Sequence, residues 1–420
     1  MDKLIIRAGA AVSTAALIAS SFVVPALAVD VEISGNGSNS DNTANVTTTN
    51  STVVTQTNYA NISNDIDVDA DTGKNDANDN TGGDVSIDTG DASANVGVNN
   101  TANSNVADVS GCCPDDVNVT IKDNGTYSDN DANVAVTTST VVDQDNTAYI
   151  HNDVYVDLDT GKNDANDNTG GSVSINTGKA DGEVNVANMA NKNIATVGNG
   201  SNGGGSLSVW ISGNGSNSDN TANVAVANAT VVTQTNYANI SNDIDVDADT
   251  GKNDANDNTG GDVSIDTGDA SADVDVANLA NFNAADVDAC GCIFDATIKI
   301  KDNGTHSDND ANVALLSATV VDQDNTYQCG ENGEYEYDRK NDCNDVDVDL
   351  DTGKNDANDN TDGGDPEIVT GDAMADVMVE NTANSNVVGD ADFDFDLPDL
   401  PDLGDGNSAS LLLLLLALFS

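Results

Sequence analysis

The chain has 420 residues, with 13 Lys and Arg against 72 Asp and Glu, a formal net charge of −59, 4% aromatic residues and two histidines. This composition excludes a thick globular core, a Ser-His-Asp or Cys-His nucleophile, and a nucleic-acid partner, whose phosphates would be repelled. High charge is also the mark of a disordered chain, but Val, Ile and Ala recur in alternating order, which disorder does not require and which predicts strands.

In chain order, residues 1–28 read MDKLIIRAGAAVSTAALIASSFVVPALA. Lys3 and Arg7, an apolar stretch and the small-x-small site Ala26-Leu27-Ala28 form the pattern of a secretory leader, which predicts export to the cell surface or beyond. Repeat units follow at 29–110 and 111–197, then a flexible joint, GNGSNGGGS, within 198–206. Two more units occupy 207–287 and 288–388: ISGNGSNSDNTANV at 33–46 returns at 211–224, and IKDNGT at 121–126 returns at 300–305. An acidic, Pro-containing linker (389–410) leads to an apolar tail (411–420). Its LLLLLLALF run falls short of the roughly 20 residues that a membrane-spanning helix needs, and reads as a shallow anchor or processing signal.

A finer spacing runs inside the units. Ala44, Ala60, Ala77 and Ala94 lie 16, 17 and 17 residues apart, each followed by Asn, and Ala222, Ala238, Ala255 and Ala272 repeat the pattern. Apolar pairs such as Val68/Ala70 and Val85/Ile87 keep the same spacing. The expectation is an all-β fold, a repetitive β-solenoid with 17-residue, two-strand coils. Roughly 20 such coils would make a rod about 95 Å long, with Asn side chains stacked amide to amide on its outside. Tandem β-sandwich domains are the alternative, but they need larger core residues.

Stacking these coils sets Asp67 and Asp71 against Asp84 and Asp88, and Asp245 and Asp249 against Asp262 and Asp266. Like charges directly opposite one another are destabilising, and Ca²⁺, which takes several carboxylate and carbonyl oxygens, would turn the repulsion into a bridge. The segment DTGKNDANDNT, found at 71–81, 159–169, 249–259 and 351–361, then becomes the adjoining turn, with Asp76, Asp79, Asp254 and Asp257 as further ligands. The second unit holds Tyr155 and Ser172 in the register of Asp67 and Asp84, so it should bind calcium more weakly. A solvated acidic face with Asx turns is the plainer reading.

The six cysteines stand at junctions. An even count in an exported chain favours disulfides. Cys329 and Cys343, which flank GENGEYEYDRKND, are the first pair expected; the partners of Cys112, Cys113, Cys290 and Cys292 stay open between a neighbouring coil and another chain. His151 and His306 lie far from these cysteines in sequence, which disfavours zinc. Trp210 and the scattered Tyr are assigned to core or junction packing.

The leader, the ISGNGS openings, the NDANDNTGGDVSIDTGDA blocks and the Cys-pair junctions resemble secreted Asx/Thr-rich repetitive surface proteins of uncultivated candidate-phylum bacteria, over nearly the whole mature length. That resemblance implies a secreted or surface-exposed protein and no activity. In style the chain is also similar to curlin-type amyloid subunits, which stack Asn-bearing strand-turn-strand repeats, although Gln is scarce and the Gln ladders of curlin repeats are not expected. The functional expectation is a calcium-stabilised structural or adhesive repeat protein, not an enzyme, facing the cell envelope or extracellular matrix and open to self-association. The alternative is a solenoid that binds a glycan or ice on a flat Thr/Asn face, for which TTTNSTVVTQT at 47–57 offers one row.

Overall fold

The computed structural model describes residues 4–9, 16–20, 28–109, 116–198, 206–287, 296–329 and 343–389. Every element among them is a strand, and the strands pair in parallel in stacked sheets, so the chain is an all-β solenoid. Two short strands come first, β1 (Leu4–Gly9) and β2 (Ala16–Ser20). The first layer is β3 (Val29–Ser34), β4 (Asp41–Asp71), β5 (Val85–Asp88) and β6 (Ala92–Val109). The second is β7 (Val117–Lys122), β8 (Asp129–Asp159), β9 (Val173–Asn176) and β10 (Ala180–Val197). The third is β11 (Leu207–Ser212), β12 (Asp219–Asp249), β13 (Val263–Asp266) and β14 (Ala270–Val287). The last is β15 (Ala296–Lys301), β16 (Asp308–Gln328), β17 (Asn344–Asp351), β18 (Glu367–Val369) and β19 (Ala373–Val388).

Each repeat unit is thus one turn of the solenoid. Its strands pair with the equivalent strands of the units before and after it, as in Ala44↔Ala132, Ala222↔Ala132 and Ala222↔Ala311. Separate β-sandwich domains are not formed. The solenoid stands, but its coil is 88 to 90 residues and not 17, lengthening to 102 where the Cys-flanked insertion enters the last layer. The reason lies in β4, β8 and β12. Each runs for 31 residues without a Gly or Pro, so the chain has no place to turn between Ala44 and Ala60. The Ala-Asn recurrences mark positions along a straight strand. The stack is therefore about 19 Å thick at ~4.8 Å per layer, and its long dimension lies along the strands, roughly 100 Å at ~3.3 Å per residue.

Within a layer the long strand is covered by the others. The start of β4 packs on β3 around Ala44 and Val46, while its far end, Val68 and Ala70, packs on the start of β6 at Ala92 to Val98. Between these two, Val54 meets Ala107 and Val109, so β6 runs back along β4. A smaller cluster around Ile87, Ala165 and Ile175 fills the arm made by the turn and β5. Alternation decides which residues face in: along β8 nearly every second side chain is buried. Full burial of one Val or Ile contributes about 1.5–3 kcal/mol, and four layers of small clusters take the place of one large core.

β1 and β2 lie on the free edge of β6, with Leu4↔Ala92 and Ile18↔Val106. They fall within the stretch that the sequence reads as a leader. The joint at 199–205, the insertion at 330–342, the acidic linker from 390, the apolar tail, and Cys112, Cys113, Cys290 and Cys292 lie outside the described residues.

Candidate functional site: stacked ladders and the DTGKNDANDNT turn

The repeated segment is a turn that serves as the template for the same turn one layer on. Asp71 closes it: Oδ1 accepts from Gly73 N at 2.9 Å and Oδ2 from Lys74 Nζ at 2.6 Å. Thr72 Oγ1 donates to Gly90 O at 2.8 Å and ties the turn to the entry of β6. Asn75 Nδ2 donates both to Thr72 O and to Asn163 Oδ1 of the next layer, and Asn80 Nδ2 does the same to Ala77 O and Asn168 Oδ1. Lys74 and Asp79 hold left-handed φ of 57° and 59°, repeated at Lys162 and Asp167, Lys252 and Asp257, and Lys354 and Asp359. Gly73 has no alternative, since a Cβ there would lie 2.1 Å from Gly161 O. Because the Gly, Asn, Lys and Asp side chains and amides of one copy fit those of the next, a substitution in an inner copy disturbs its neighbours, which favours keeping the segment unchanged.

The same turn carries a charge ladder. Lys74 Nζ lies 2.6 Å from Asp71 and 3.3 Å from Asp159, and Lys162 Nζ lies 2.7 Å from Asp159 and 3.3 Å from Asp249. Lys252 bridges Asp249 and, at 3.6 Å, Asp351. The side chains of Asp159 and Asp249 are 1% and 0% exposed. Burial works against the Lys162 charge, but the flanking carboxylates outweigh it and raise the Lys162 pKa above the ordinary lysine value. Asp71 and Asp249, expected as calcium ligands, are therefore lysine partners.

The expected Asp stacks are not formed. Asp67 is in register with Tyr155, Asp245 and Asp347, and Asp71 with Asp159 and Asp249. Asp84 and Asp262 accept from the next-layer amides of Ser172 and Gly364. Asp88 faces Asn176, which faces Asp266. Asp67 and Asp84 belong to one layer, as do Asp71 and Asp88, Asp245 and Asp262, and Asp249 and Asp266, because the chain between them turns without advancing along the stack. Carboxylate does stand on carboxylate through every layer elsewhere: at Asp76, Asp164, Asp254 and Asp356 in the turn, and on the long strand at Asp69, Asp157, Asp247 and Asp349, as also in the columns that start at Asp41, Asp65 and the lysine-paired Asp71. Burial first, then the neighbouring carboxylates, push Asp157, Asp164, Asp245, Asp247 and Asp254 above the usual carboxylate range. Among the described residues no group of three or more His, Cys, Asp or Glu is placed to hold a metal ion.

The sequence reading missed the inward amide ladders. Gln144 Nε2 donates to Gln56 Oε1, Gln234 to Gln144 and Gln323 to Gln234, at 2.7, 2.8 and 2.6 Å. This Gln ladder runs through the whole stack, against the expectation that there is none. Beside it Asn105, Asn193, Asn283 and Asn386 bond up the stack at 3.0, 3.0 and 3.1 Å. They also bond across each layer to Asn58, Asn146, Asn236 and Asn325, at 2.7 to 2.8 Å. The signal for them is the recurrence of each Gln and Asn at intervals of 88 to 90, or 103 across the Cys-flanked insertion, and not 17. One outward ladder matches the expected position after Ala: Asn133 donates to Asn45, Asn223 to Asn133 and Asn312 to Asn223, each at 2.9 Å.

That outward ladder borders a shallow groove of about 590 Å³ crossing all four layers, whose wall also includes Thr47, Ala135, Ala225 and Ala314. The outward Thr55 position does not continue as Thr along the stack, being followed by Asp143, Thr233 and Asp322, and the Thr row that does continue, Thr52, Thr140, Thr230 and Thr319, is turned inward, with Thr140 and Thr230 buried. Trp210 is not core. It is 37% exposed, with Lys299 and Lys301 of the last layer 5.3 and 4.9 Å from its ring. Tyr149 lies between Tyr59 and Tyr237, with ring centroids 5.9 and 5.6 Å away, along the outer face. Cys329 and Cys343 are joined by a disulfide, with Cα atoms 4.4 Å apart. No protein-family model, curated protein or solved structure matches the chain.

Proposed function

We propose that this chain is a secreted or cell-surface structural repeat protein that presents its acidic, Asx-rich face to the cell envelope or extracellular matrix. The observation that carries this reading is the set of amide ladders passing unbroken through every layer. Such ladders give a small-residue chain rigidity that a structural element needs and a solvated loop does not. The leader-like amino terminus supports export. Calcium enters as a stabilising counter-ion for the stacked carboxylates on the long strand and in the turn, not as the occupant of an EF-hand-like loop. Protease treatment and surface labelling of intact producing cells test the placement, and a protein recovered only from the cytoplasm overturns it. Melting in calcium, magnesium and matched sodium chloride tests the ion; a calcium shift no larger than that of equal ionic strength removes calcium from the reading.

The groove beside Asn45, Asn133, Asn223 and Asn312 favours one second reading, a glycan-binding solenoid. Its exposed amides and small apolar floor suit sugar hydroxyls and ring faces. A glycan array decides it, with substitution of Asn133 and Asn223 by Leu expected to abolish any binding seen.

A further inference from the structure

The last layer of the stack is open, the first is open except where β1 and β2 lie on β6, and the two ends are shaped to fit each other. We propose that this chain associates head to tail, with the last layer of one copy seating on the first layer of a second copy and continuing the solenoid. The reading above concerns where the protein acts. This inference concerns only what one copy does with another, so either can fail without the other.

The last layer retains inward apolar side chains with nothing above them. Val313 and Leu315 are 50% and 66% exposed, whereas their third-layer equivalents Val224 and Val226 are 2% and 7% exposed. An exposed parallel edge backed by apolar side chains is a template for a further strand. The ladders fix which copy fits, and in which direction. Inside the stack the inward Asn side chains donate toward the last layer, as Asn58 does to Asn146, Asn146 to Asn236 and Asn236 to Asn325. Asn325 has no further layer to donate to, and Asn58 has no preceding layer to accept from.

The charge ladder has the same polarity. Asp159 is met by Lys74 and Lys162, and Asp249 by Lys162 and Lys252. Asp71 is met by Lys74 of its own layer, and Lys354 pairs with Asp351 of its own layer. A second copy stacked in register brings Lys354 of one chain to Asp71 of the next.

Glycine gives the sharpest sign of the missing layers. A Cβ on Gly73, Gly161 or Gly251 would run into a carbonyl oxygen of the following layer at 2.1 Å, yet at the equivalent Gly353 the nearest atom is its own layer's Asp351 Oδ1, at 3.8 Å. On the opposite side a Cβ on Gly125, Gly215 or Gly304 would strike the preceding layer, while at Gly37 nothing lies within 4 Å. Both ends therefore keep the flat notch that an adjoining layer requires. The first-layer side also accepts a strand in the repeat register, since Leu4 pairs with Ala92 and Ile18 with Val106 across the separation of 88 that relates one layer to the next. In the assembly β19 of the incoming copy takes that place on β6.

The test uses the chain from residue 29 onward, which lacks β1 and β2 and so leaves the edge of β6 open. Sedimentation velocity over a concentration series is expected to show species growing by whole copies, promoted by salt that screens the net charge. Electron microscopy is expected to show particles lengthening by about 19 Å per copy along the stack. Gly353→Ala and Gly37→Ala leave the melting of the single molecule unchanged, and each weakens association by at least about tenfold. Mixed together, they form a dimer and nothing larger, because each supplies the one open end that the other lacks. Lys354→Glu, which keeps the glycine notch, also weakens association. A wild-type chain that is monomeric at every concentration overturns the proposal. So do Gly353→Ala and Gly37→Ala chains that assemble as the wild type does, or a mixture of the two that stays monomeric.

Discussion

Gln144 Nε2 donates to Gln56 Oε1 at 2.7 Å across a separation of 88 residues, and both side chains are fully buried. Gln144 also donates to Ile194 O on the facing strand and accepts from Gln234. Gln144→Leu therefore removes the donor to Gln56 Oε1 and Ile194 O and the acceptor of Gln234, at a cost of about 1–3 kcal/mol. Replacing Gln56, Gln144, Gln234 and Gln323 together by Leu removes the partners along with the ladder and should cost much less per residue. Denaturant melts of the single and quadruple variants check this; a quadruple variant four times as destabilised as the single would show that the ladder itself is the source of stability.

Gly161→Ala should be among the most damaging single substitutions in the chain. Its Cβ would meet Gly251 O at 2.1 Å, a backbone atom that cannot rotate away. Overpacking of this kind costs about 1–3 kcal/mol or more. Thermal melts of Gly161→Ala and Gly37→Ala under dilute, monomeric conditions are expected to show a large fall for the first and none for the second.

Lys162 neutralises two carboxylates at once, and both are buried. Removing one partner of a fully buried pair costs about 3–5 kcal/mol. Lys162 is 34% exposed, so solvent screening brings the expected loss for Lys162→Met down to about 2 kcal/mol. The exposed Lys354, which pairs with a single carboxylate, should show no measurable loss when changed to Met. Chemical denaturation of the two variants side by side measures the difference.

Acid should stabilise this protein over part of its range. Asp157, Asp245 and Asp247 hold folded-state pKa values raised above 3.8, by burial first and neighbouring carboxylates second. A raised folded pKa means that the native state binds protons more tightly than the unfolded chain. The resulting stabilisation is fully present below the unfolded value and lost as pH rises through the folded one. Melting temperature is expected to rise as pH falls from neutrality toward 3.8, and Asp247→Asn should flatten that slope. A melting temperature that falls steadily over the same window refutes the assignment.

Much of this architecture is legible without coordinates. The alternation of Val, Ile and Ala along 129–159 determines strands and their inward faces, because successive strand residues point to opposite sides. The return of whole units after 88 to 90 residues determines that equivalent strands can lie in register. The lack of Gly or Pro from Asp41 to Asp71 disfavours a coil that turns every 17 residues. What tertiary structure alone decides is which polar groups meet. Asn58 reaches Asn105 because β6 folds back over β4, and Lys74 reaches Asp159 because the next turn seats 88 residues later. Those contacts join positions that no local pattern links. The carboxylates of Asp67 and Asp84 stay apart for the same reason: spacing along a chain becomes stacking only where the backbone steps to the next layer, and it does so once in 88 to 102 residues.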